Sequence, residues 1–407
     1  MTDATESVGL RPESEDAVRD AVAWAVSERA PVEILGHGSK RAIGRPMQVA
    51  HRLDLSALAG VTLYEPEELV LTARAGTPLD TIEALLDDNG QELQFEPMDY
   101  RGLLGNADAG CGTIGAVLAT NLSGPRRLKS GAARDHVLGI RAVTGRGDLI
   151  KSGGRVVKNV TGYDLSRGLS GSWGTLAVLT EVTFKVLPRA ETQATLLVSG
   201  LNDAEAADVM AAAMGSDTEV SAAAHLPESV RGRFLGGALP SGAATVLRLE
   251  GVAASVAYRL ERLVGVIGGA AGHHRLEAGD SRVLWREIRD AKPFCDGTLR
   301  PVWRVSVAPL EGHRLVAALR LQTGVDAFYD WQGGLVWLRM EADAEADLLR
   351  RHIRALGGGH ATLVRAPVDI RNAVAVFEPA EPALAALAGR LKHQFDPETI
   401  LNPGRMR

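Results

Sequence analysis

The chain has 407 residues, 45% of them apolar and 23% charged, and a formal net charge of −5. These values fit a globular protein of two or three domains and argue against the basic surface that nucleic-acid binding needs. Two cysteines, Cys111 and Cys295, are too few for a disulfide framework or a four-cysteine iron–sulfur cluster. Residues 1–14 are acidic and lack the apolar segment of a signal peptide, so we expect a cytoplasmic protein.

The first half of the chain is predicted to alternate helices, short strands and glycine-rich loops. Apolar residues at helical spacing predict a helix from Pro12 to Arg29, which the apolar strand Pro31–Leu35 follows. Pro78 is expected to begin a helix that continues to Asp88, with Thr77 as its N-cap. Further strands are predicted at Val61–Tyr64, Leu69–Ala73, Val137–Val143, Asp148–Lys151 and Ala177–Leu187.

Beyond Ala194 the pattern changes to repeated strand–helix units, which predict an antiparallel sheet covered by helices. A last helix is expected from Pro379 to Phe395, followed by a turn-rich tail. The strands are predicted at Leu196–Val198, Ala244–Glu250, Val302–Val307, Leu335–Met340 and Ala361–Val364, and the helices at Ala204–Met214, Ala253–Val266, Arg314–Leu321 and Glu345–Leu356.

A short glycine loop, from Gly36 to Lys40, directly follows the first predicted strand. Its glycines allow successive backbone N–H groups to converge on an anion, and Ser39 and Lys40 add a hydroxyl group and a positive charge. Such a loop suits a pyrophosphate. Taken alone, a loop of this length is more often an ordinary tight turn.

A second loop contains Gly110, Gly112 and Gly115 in a G-x-G-x-x-G pattern, with Asp135 twenty residues further on. A nicotinamide-dinucleotide fingerprint also needs an apolar strand directly before the first glycine. The polar segment Arg101–Ala109 is not such a strand, so we reject the nicotinamide interpretation. A third glycine segment, Gly171–Thr175, precedes the strand at Ala177, and a dinucleotide could be held between the three segments.

These segments resemble the flavoproteins of the vanillyl-alcohol-oxidase family, which have a PCMH-type FAD-binding domain. Residues 31–40 are similar to the family's first FAD pyrophosphate loop, and residues 113–124 to its second flavin-contact segment. Residues 158–167 are similar to the lysine-asparagine-glycine-tyrosine-aspartate signature of glycolate and D-lactate dehydrogenases, and residues 401–404 to the usual ending. Residues 124–127, 302–307 and 358–363 resemble in particular the smaller flavoprotein subunit of bacterial glycolate oxidases.

The resemblance implies an α+β fold with a two-subdomain PCMH-type FAD-binding domain at 1–190. A ferredoxin-like α+β cap would occupy 191–375, and a helix and tail at 376–407 would return to the first domain. FAD is expected to bind non-covalently, because His37 stands where the family usually has a further glycine. The residues expected to contact FAD are Gly36, His37, Gly38, Ser39, Lys40, Pro78, Gly112, Thr113, Ile114, Gly115, Asn121, Gly124, Arg134, Gly174 and Val178.

The implied function is that of an FAD subunit in a complex that oxidises glycolate to glyoxylate. Its partners would be a larger FAD subunit and an iron–sulfur subunit that receives the electrons, with membrane contact only peripheral and through those partners. Two alternatives stay open: a self-sufficient FAD-dependent 2-hydroxy-acid dehydrogenase, and a non-catalytic assembly subunit with structural FAD.

Two residues are candidates for substrate chemistry. Arg304 could anchor a substrate carboxylate and His360 could act as a base. The structural alternatives are a surface arginine beside a buried Trp303 and a hydrogen-bonded histidine. We expect no metal site, because the paired-histidine motif of the larger subunits is missing, and the adjacent His273 and His274 would face opposite sides of a strand.

Overall fold

The computed structural model describes residues 8–106, 108–155, 162–268 and 272–406. The strands are β1 (Val8–Leu10), β2 (Val32–Leu35), β3 (His51–Asp54), β4 (Val61–Glu65), β5 (Val70–Arg74), β6 (Gln91–Glu92), β7 (Val137–Thr144), β8 (Leu149–Gly153), β9 (Ala177–Lys185), β10 (Leu187–Pro188), β11 (Thr192–Ser199), β12 (Ala222–Leu226), β13 (Ala244–Gly251), β14 (His273–Leu276), β15 (Val302–Ser306), β16 (Val325–Asp330), β17 (Leu335–Met340) and β18 (His360–Arg365).

The helices are α1 (Glu15–Ser27), α2 (Leu79–Asp88), α3 (Arg101–Leu104), α4 (Ile114–Thr120), α5 (Arg127–Ser130), α6 (Ala133–His136), α7 (Leu165–Leu169), α8 (Asp203–Met214), α9 (Glu228–Arg231), α10 (Ala253–Val266), α11 (Ala278–Arg289), α12 (Gly312–Arg320), α13 (Ala346–Ala355), α14 (Val368–Ala373) and α15 (Pro382–Phe395).

Two sheets organise the first half of the chain. A small parallel sheet has the order β1-β3-β2, and an antiparallel sheet of five strands has the order β4-β5-β9-β7-β8. The predicted strand pair β4–β5 and the predicted hairpin β7–β8 are both confirmed. The C-terminal tail joins the small sheet, where Leu401 bridges Val32 in parallel. This return brings the two ends of the chain to the same side of the molecule.

The second half forms one antiparallel sheet of eight strands, here called the cap sheet, in the order β14-β11-β13-β12-β16-β17-β15-β18. Strand alternation gives it two faces, since Trp303 and Val305 pack under helices while Val302 and Trp337 face the first half. There Tyr100 meets Trp337 edge to face at 5.7 Å. The two halves therefore share one continuous apolar core.

Several local predictions needed correction. The two predicted cap units are fused by β12 and β16, which pair at His225 and Tyr329 and had not been predicted. The alanine-rich β12 has no β-branched residue, which is why its sequence gave no strand signal. Thr77 is not the N-cap of α2, because that position is taken by Pro78 and the Thr77 hydroxyl donates to Arg74 O at 2.6 Å. Residues 158–161 of the lysine-to-arginine signature lie outside the described residues.

Candidate functional site

A cavity of about 770 Å³, here called the nucleotide cavity, lies where the small parallel sheet meets the five-stranded sheet. Its walls are the end of β2 with the loop after it, the start and one face of α4, residues 173–179, and the tail residues Asn402 and Arg405. Within the described structure, its lining residues all lie outside the cap sheet.

The first glycine loop is fixed at its base by buried charges. Glu33 on β2 is 4% exposed and accepts from the Arg41 guanidinium at 2.6 and 2.7 Å, with Arg52 at 3.7 Å. Gly38 has a φ of +72°, which favours glycine. A Cβ on Gly36 would lie 2.6 Å from Thr113 Oγ1 of the second loop, so the two loops pack without space for a side chain.

The second loop approaches the first and the five-stranded sheet. Thr113 is the N-cap of α4 and bridges Pro78 in antiparallel fashion. A Cβ on Gly115 would lie 2.7 Å from Ala75 Cβ, so only glycine allows this approach. His37 Nδ1 donates to Cys111 O at 2.7 Å, because a carbonyl oxygen can only accept, and this bond joins the two loops directly.

The C-terminal tail closes the cavity from behind. Asn402 is 3% exposed, accepts from Ile34 N at 2.7 Å and donates to Trp173 O at 2.8 Å. Ile34 and Trp173 both line the cavity, so one amide side chain joins two of its walls. Arg405 donates to Lys40 O at 3.1 Å and lies over the Trp173 ring at 5.7 Å.

Two buried cations contribute positive charge to the cavity. Lys40 is 7% exposed, and burial lowers the pKa of its ammonium while Asp99 and Asp290 oppose that shift. Burial lowers the pKa of Arg405 to about 10, with Glu33 opposing. With a pKa of about 10, Arg405 is a protonated cation near neutral pH. Buried cations that have lost hydration gain from a bound phosphate, so the cavity suits a pyrophosphate.

The structure brings eight of the fifteen residues proposed for FAD contact to the cavity lining: Gly36, His37, Gly38, Ser39, Lys40, Thr113, Gly115 and Gly174. The other seven residues either support the lining or lie outside it. Gly112 contacts the Lys40 ammonium, since a Cβ there would meet Nζ at 3.0 Å, and Pro78 pairs with Thr113. Ile114 and Val178 are fully buried in neighbouring apolar clusters.

Three further residues of that set lie just beyond the lining. Asn121 caps α4 with a φ of +49° and accepts from Arg134 N at 3.1 Å. The Arg134 side chain is 54% exposed and pairs with Asp135. Gly124 packs on Glu96, and its carbonyl accepts from Trp331 Nε1 at 2.9 Å. Contact of these three residues with FAD stays a prediction.

The two candidates for substrate chemistry lie on the cap sheet and not in the lining of the nucleotide cavity. Arg304 on β15 stacks on Trp331 at 4.8 Å, and its buried Nε has no hydrogen-bond partner among the described residues. His360 begins β18 opposite Ser306 and is exposed. Arg304 and Ser306 are two positions apart on β15, so their side chains share a face. His360 pairs with Ser306 and lies on that same face, which turns toward the first half.

Four residues near these sites were not among the predicted site residues. Asn402, Arg405 and Trp173 line the nucleotide cavity. The return of the tail and the segment that contains Trp173 were both expected, but the sequence did not indicate which of their side chains reach the cavity. Asp330 lies beside the Arg304 stack, is 2% exposed and accepts from Trp331 N at 2.7 Å. Burial raises the pKa of Asp330 to about 7, and the nearby Glu96 adds to that rise.

Comparison with known proteins agrees with this geometry. A family model described as an FAD binding domain matches residues 7–153. The chain is 36% identical over 403 residues to the glycolate oxidase subunit GlcE of Escherichia coli (strain K12), covering 96% of each chain. The glycolate oxidase subunit GlcD of Bacillus subtilis (strain 168) is 31% identical over 190 residues, which are 46% of this chain and 38% of that one.

Among solved structures, p-cresol methylhydroxylase superposes with a TM-score of 0.73 at 13% identity, covering 98% of this chain and 88% of the other. This likeness shows the fold, and it confirms the predicted PCMH-type architecture. The FAD-binding match and the similarity to GlcE define an FAD-dependent oxidoreductase subunit. The chain belongs to the family of the glycolate oxidase subunit GlcE.

Two further properties concern the whole described chain. Across its four described ranges, no group of three or more His, Cys, Asp or Glu side chains is arranged to hold a metal ion. No helix within those ranges is long and apolar enough to cross a membrane.

Proposed function

We propose that this chain is the smaller FAD subunit of a glycolate oxidase complex, which oxidises glycolate to glyoxylate and passes the electrons to an iron–sulfur subunit. The observation that carries the proposal is the extent of the similarity to GlcE, which covers 96% of both chains and therefore includes the cap sheet. The match to GlcD covers 46% of this chain. We place the protein in the cytoplasm, with membrane contact only through its partners.

The nucleotide cavity supports non-covalent FAD binding. When bound, FAD supplies a ring system that takes two electrons from a substrate and passes them on. The loop from Gly36 to Lys40 offers backbone N–H groups and one ammonium for the pyrophosphate, and Arg405 adds a second cation. His37 is held by its bond to Cys111 O, which orients the ring as part of the loop wall.

Arg304 is the residue we assign to substrate binding if this chain contacts glycolate itself. A guanidinium whose Nε is buried without a partner gains from a carboxylate, which accepts two hydrogen bonds. Its stacking on Trp331 fixes the plane of the guanidinium. His360, which is exposed on the same face, would then hold the proton removed from the substrate hydroxyl.

The test has two stages. The chain is first purified alone, and its absorption spectrum and FAD content are measured. Bound flavin supports the proposal, whereas a colourless protein that FAD cannot reconstitute overturns it. Glycolate is then added without oxygen to the chain alone and to the chain assembled with the longer flavoprotein and the iron–sulfur subunit.

Reduction of flavin and of the iron–sulfur centre only in the assembled sample supports the complex. Full turnover with an artificial acceptor by the chain alone would instead establish a self-sufficient dehydrogenase. Arg304→Lys should then be compared with Arg300→Lys, an exposed arginine just before the same strand. A rise in KM for glycolate in the first variant alone assigns the anchor, and equal kinetics in both variants exclude it.

A further inference from the structure

Helix α15 has no buried side chain, although it runs for 14 residues inside the described part of the chain. Its sequence PALAALAGRLKHQF is rich in alanine and leucine. Leu384, Leu387 and Leu391 are 60%, 54% and 43% exposed. A monomeric protein seldom exposes three leucines in one row, and such rows commonly mark a surface that binds another protein.

The helix is secured mainly at one end. Lys392 Nζ donates to Thr175 O at 2.6 Å and to Leu401 O at 3.1 Å, and it pairs with Asp396. Arg146 donates to Gln394 O at 2.8 Å. These bonds all involve the last turn, while the first ten residues extend over solvent. In that last turn Phe395 also packs against the core of the five-stranded sheet. A helix of this length is marginal in water unless an apolar face is packed, so the row of leucines before it lacks the packing that would stabilise it.

The exposed leucines follow the spacing i, i+3 and i+7, with Ala388 at i+4. This is the pattern by which an amphipathic helix inserts into an apolar groove of a partner. The helix has no carboxylate between Pro382 and Phe395, and its exposed polar side chains include Arg390 and His393. A complementary groove therefore has an apolar floor and an acidic rim.

A second copy of this chain does not fit that description. Pairing α15 with itself would bring two helices together that each have an exposed arginine and no carboxylate. An acidic groove on a different subunit provides the opposite charge.

The anchors of α15 lie next to the walls of the nucleotide cavity. Thr175, which accepts from Lys392, follows Gly174 of the lining, and Leu401 precedes Asn402 of the lining. A partner that covers α15 therefore lies beside the nucleotide cavity. This is the position that a protein receiving electrons from that flavin needs.

We infer that α15 is the docking helix for the electron-accepting subunit of the assembly, which binds it through an apolar groove with an acidic rim. The inference rests on the proposed function. Because α15 bonds to two walls of the nucleotide cavity, its occupancy also stabilises those walls, and the docked partner slows the loss of FAD.

The experiment uses the full chain and a tagged iron–sulfur subunit from the same organism, with the longer flavoprotein subunit tested separately. Leu387→Asp places a charge in the groove, and Leu321→Asp is the matched control, since Leu321 is 87% exposed on the far end of α12. We expect Leu387→Asp to weaken binding at least about tenfold, because a charge is costly in an apolar groove. The control should bind like the wild type.

Thermal unfolding and FAD content of the free Leu387→Asp chain should match the wild type, since the leucine is exposed there. FAD loss on dilution should slow when the partner is added to the wild type and not when it is added to Leu387→Asp. Equal binding by Leu387→Asp and the wild type overturns the docking helix and leaves the proposed complex intact. The docking helix is also overturned if the wild-type chain forms a homodimer that Leu387→Asp dissociates. The same holds if Leu387→Asp loses binding to the longer flavoprotein and keeps binding to the iron–sulfur subunit.

A wild-type chain that binds neither subunit overturns the complex itself, and the docking inference with it. Failure of the proposed complex and failure of α15 as its docking helix therefore give different binding results.

Discussion

Removing the Asn402 side chain should weaken FAD binding more than it weakens the fold. Its amide accepts from Ile34 N and donates to Trp173 O, and the residue is 3% exposed. Asn402→Ala leaves two buried groups without partners, each at a cost of about 1–3 kcal/mol. The free variant avoids this cost by letting the tail leave β2, and FAD binding must then restore the wall. The lower total, about 2 kcal/mol, corresponds to about thirtyfold weaker binding, because tenfold corresponds to about 1.4 kcal/mol.

The backbone at this position needs its own control. Asn402 has a φ of +42°, which alanine adopts less readily than asparagine, so Asn402→Gly removes the side chain without that strain. Asn89→Ala is the matched surface control, since Asn89 is exposed and bonds only to its own helix at Leu85 O. FAD affinity is measured by titrating FAD-free protein and following flavin fluorescence.

We expect both Asn402 variants to bind FAD weakly and Asn89→Ala to bind like the wild type. The reasoning is refuted if Asn402→Gly binds FAD with the wild-type affinity. It is also refuted if the variants lose stability but show no change in affinity, because the side chain would then support the fold and not the cavity.

Two further predictions test other parts of the molecule. Gly36→Ala should weaken FAD binding about tenfold or more, because its Cβ would meet Thr113 Oγ1 at 2.6 Å and overpacking costs about 1–3 kcal/mol. Adding Thr113→Ala to this variant should recover part of the affinity. Gly232→Ala is the control and should leave the affinity unchanged, because a Cβ at Gly232 would meet no atom within 4 Å. Burial opposes ionisation of Asp203, but bonds from His225 and Tyr329 outweigh it and lower its pKa from 3.8 to about 2. A lowered folded pKa stabilises the protein above pH 4, so about 2 kcal/mol should be lost as the pH falls from 4 to 2. Urea unfolding should show this pH dependence in the wild type and in Asp208→Asn, and a smaller one in Asp203→Asn.

The sequence allowed good prediction wherever the signal was local. The Gly36–Lys40 loop is contiguous and follows an apolar strand, so both its position and its approach to an anion could be inferred. The helices α8 and α10 and the strand β17 also lie within a residue or two of their predicted bounds. α10 has a clear helical period of apolar residues, α8 begins at a capping box formed by Asn202 and Glu205, and β17 is a short apolar run.

The orientation of single side chains was harder to predict. Ala177 and Leu179 line the nucleotide cavity, but Val178 between them faces the opposite side of β9 and packs into the core. Ile114 lies between two lining residues in the same way. Adjacency in the sequence identified both segments. The alternation of strand β9 and the turn of helix α4 then decided which members face the cavity.

Contacts between distant segments gave no sequence signal. Asn402 bonds to Ile34 across 368 positions, and Arg405 to Lys40 across 365. The fusion of the cap sheet through β12 and β16 depends on a pairing that neither strand indicates by itself. These long-range contacts depend on how whole strands and helices pack against one another in the folded chain.

The closing role of the tail has a consequence for the order of biosynthesis. Residues 36–40 and 113–115 leave the ribosome early, but Asn402 and Arg405 complete the cavity wall only after almost 300 further residues have been added. A nascent chain therefore has glycine loops with no back wall, and it holds the dinucleotide weakly until translation has passed position 405. Cofactor loading thereby favours finished chains over prematurely terminated ones.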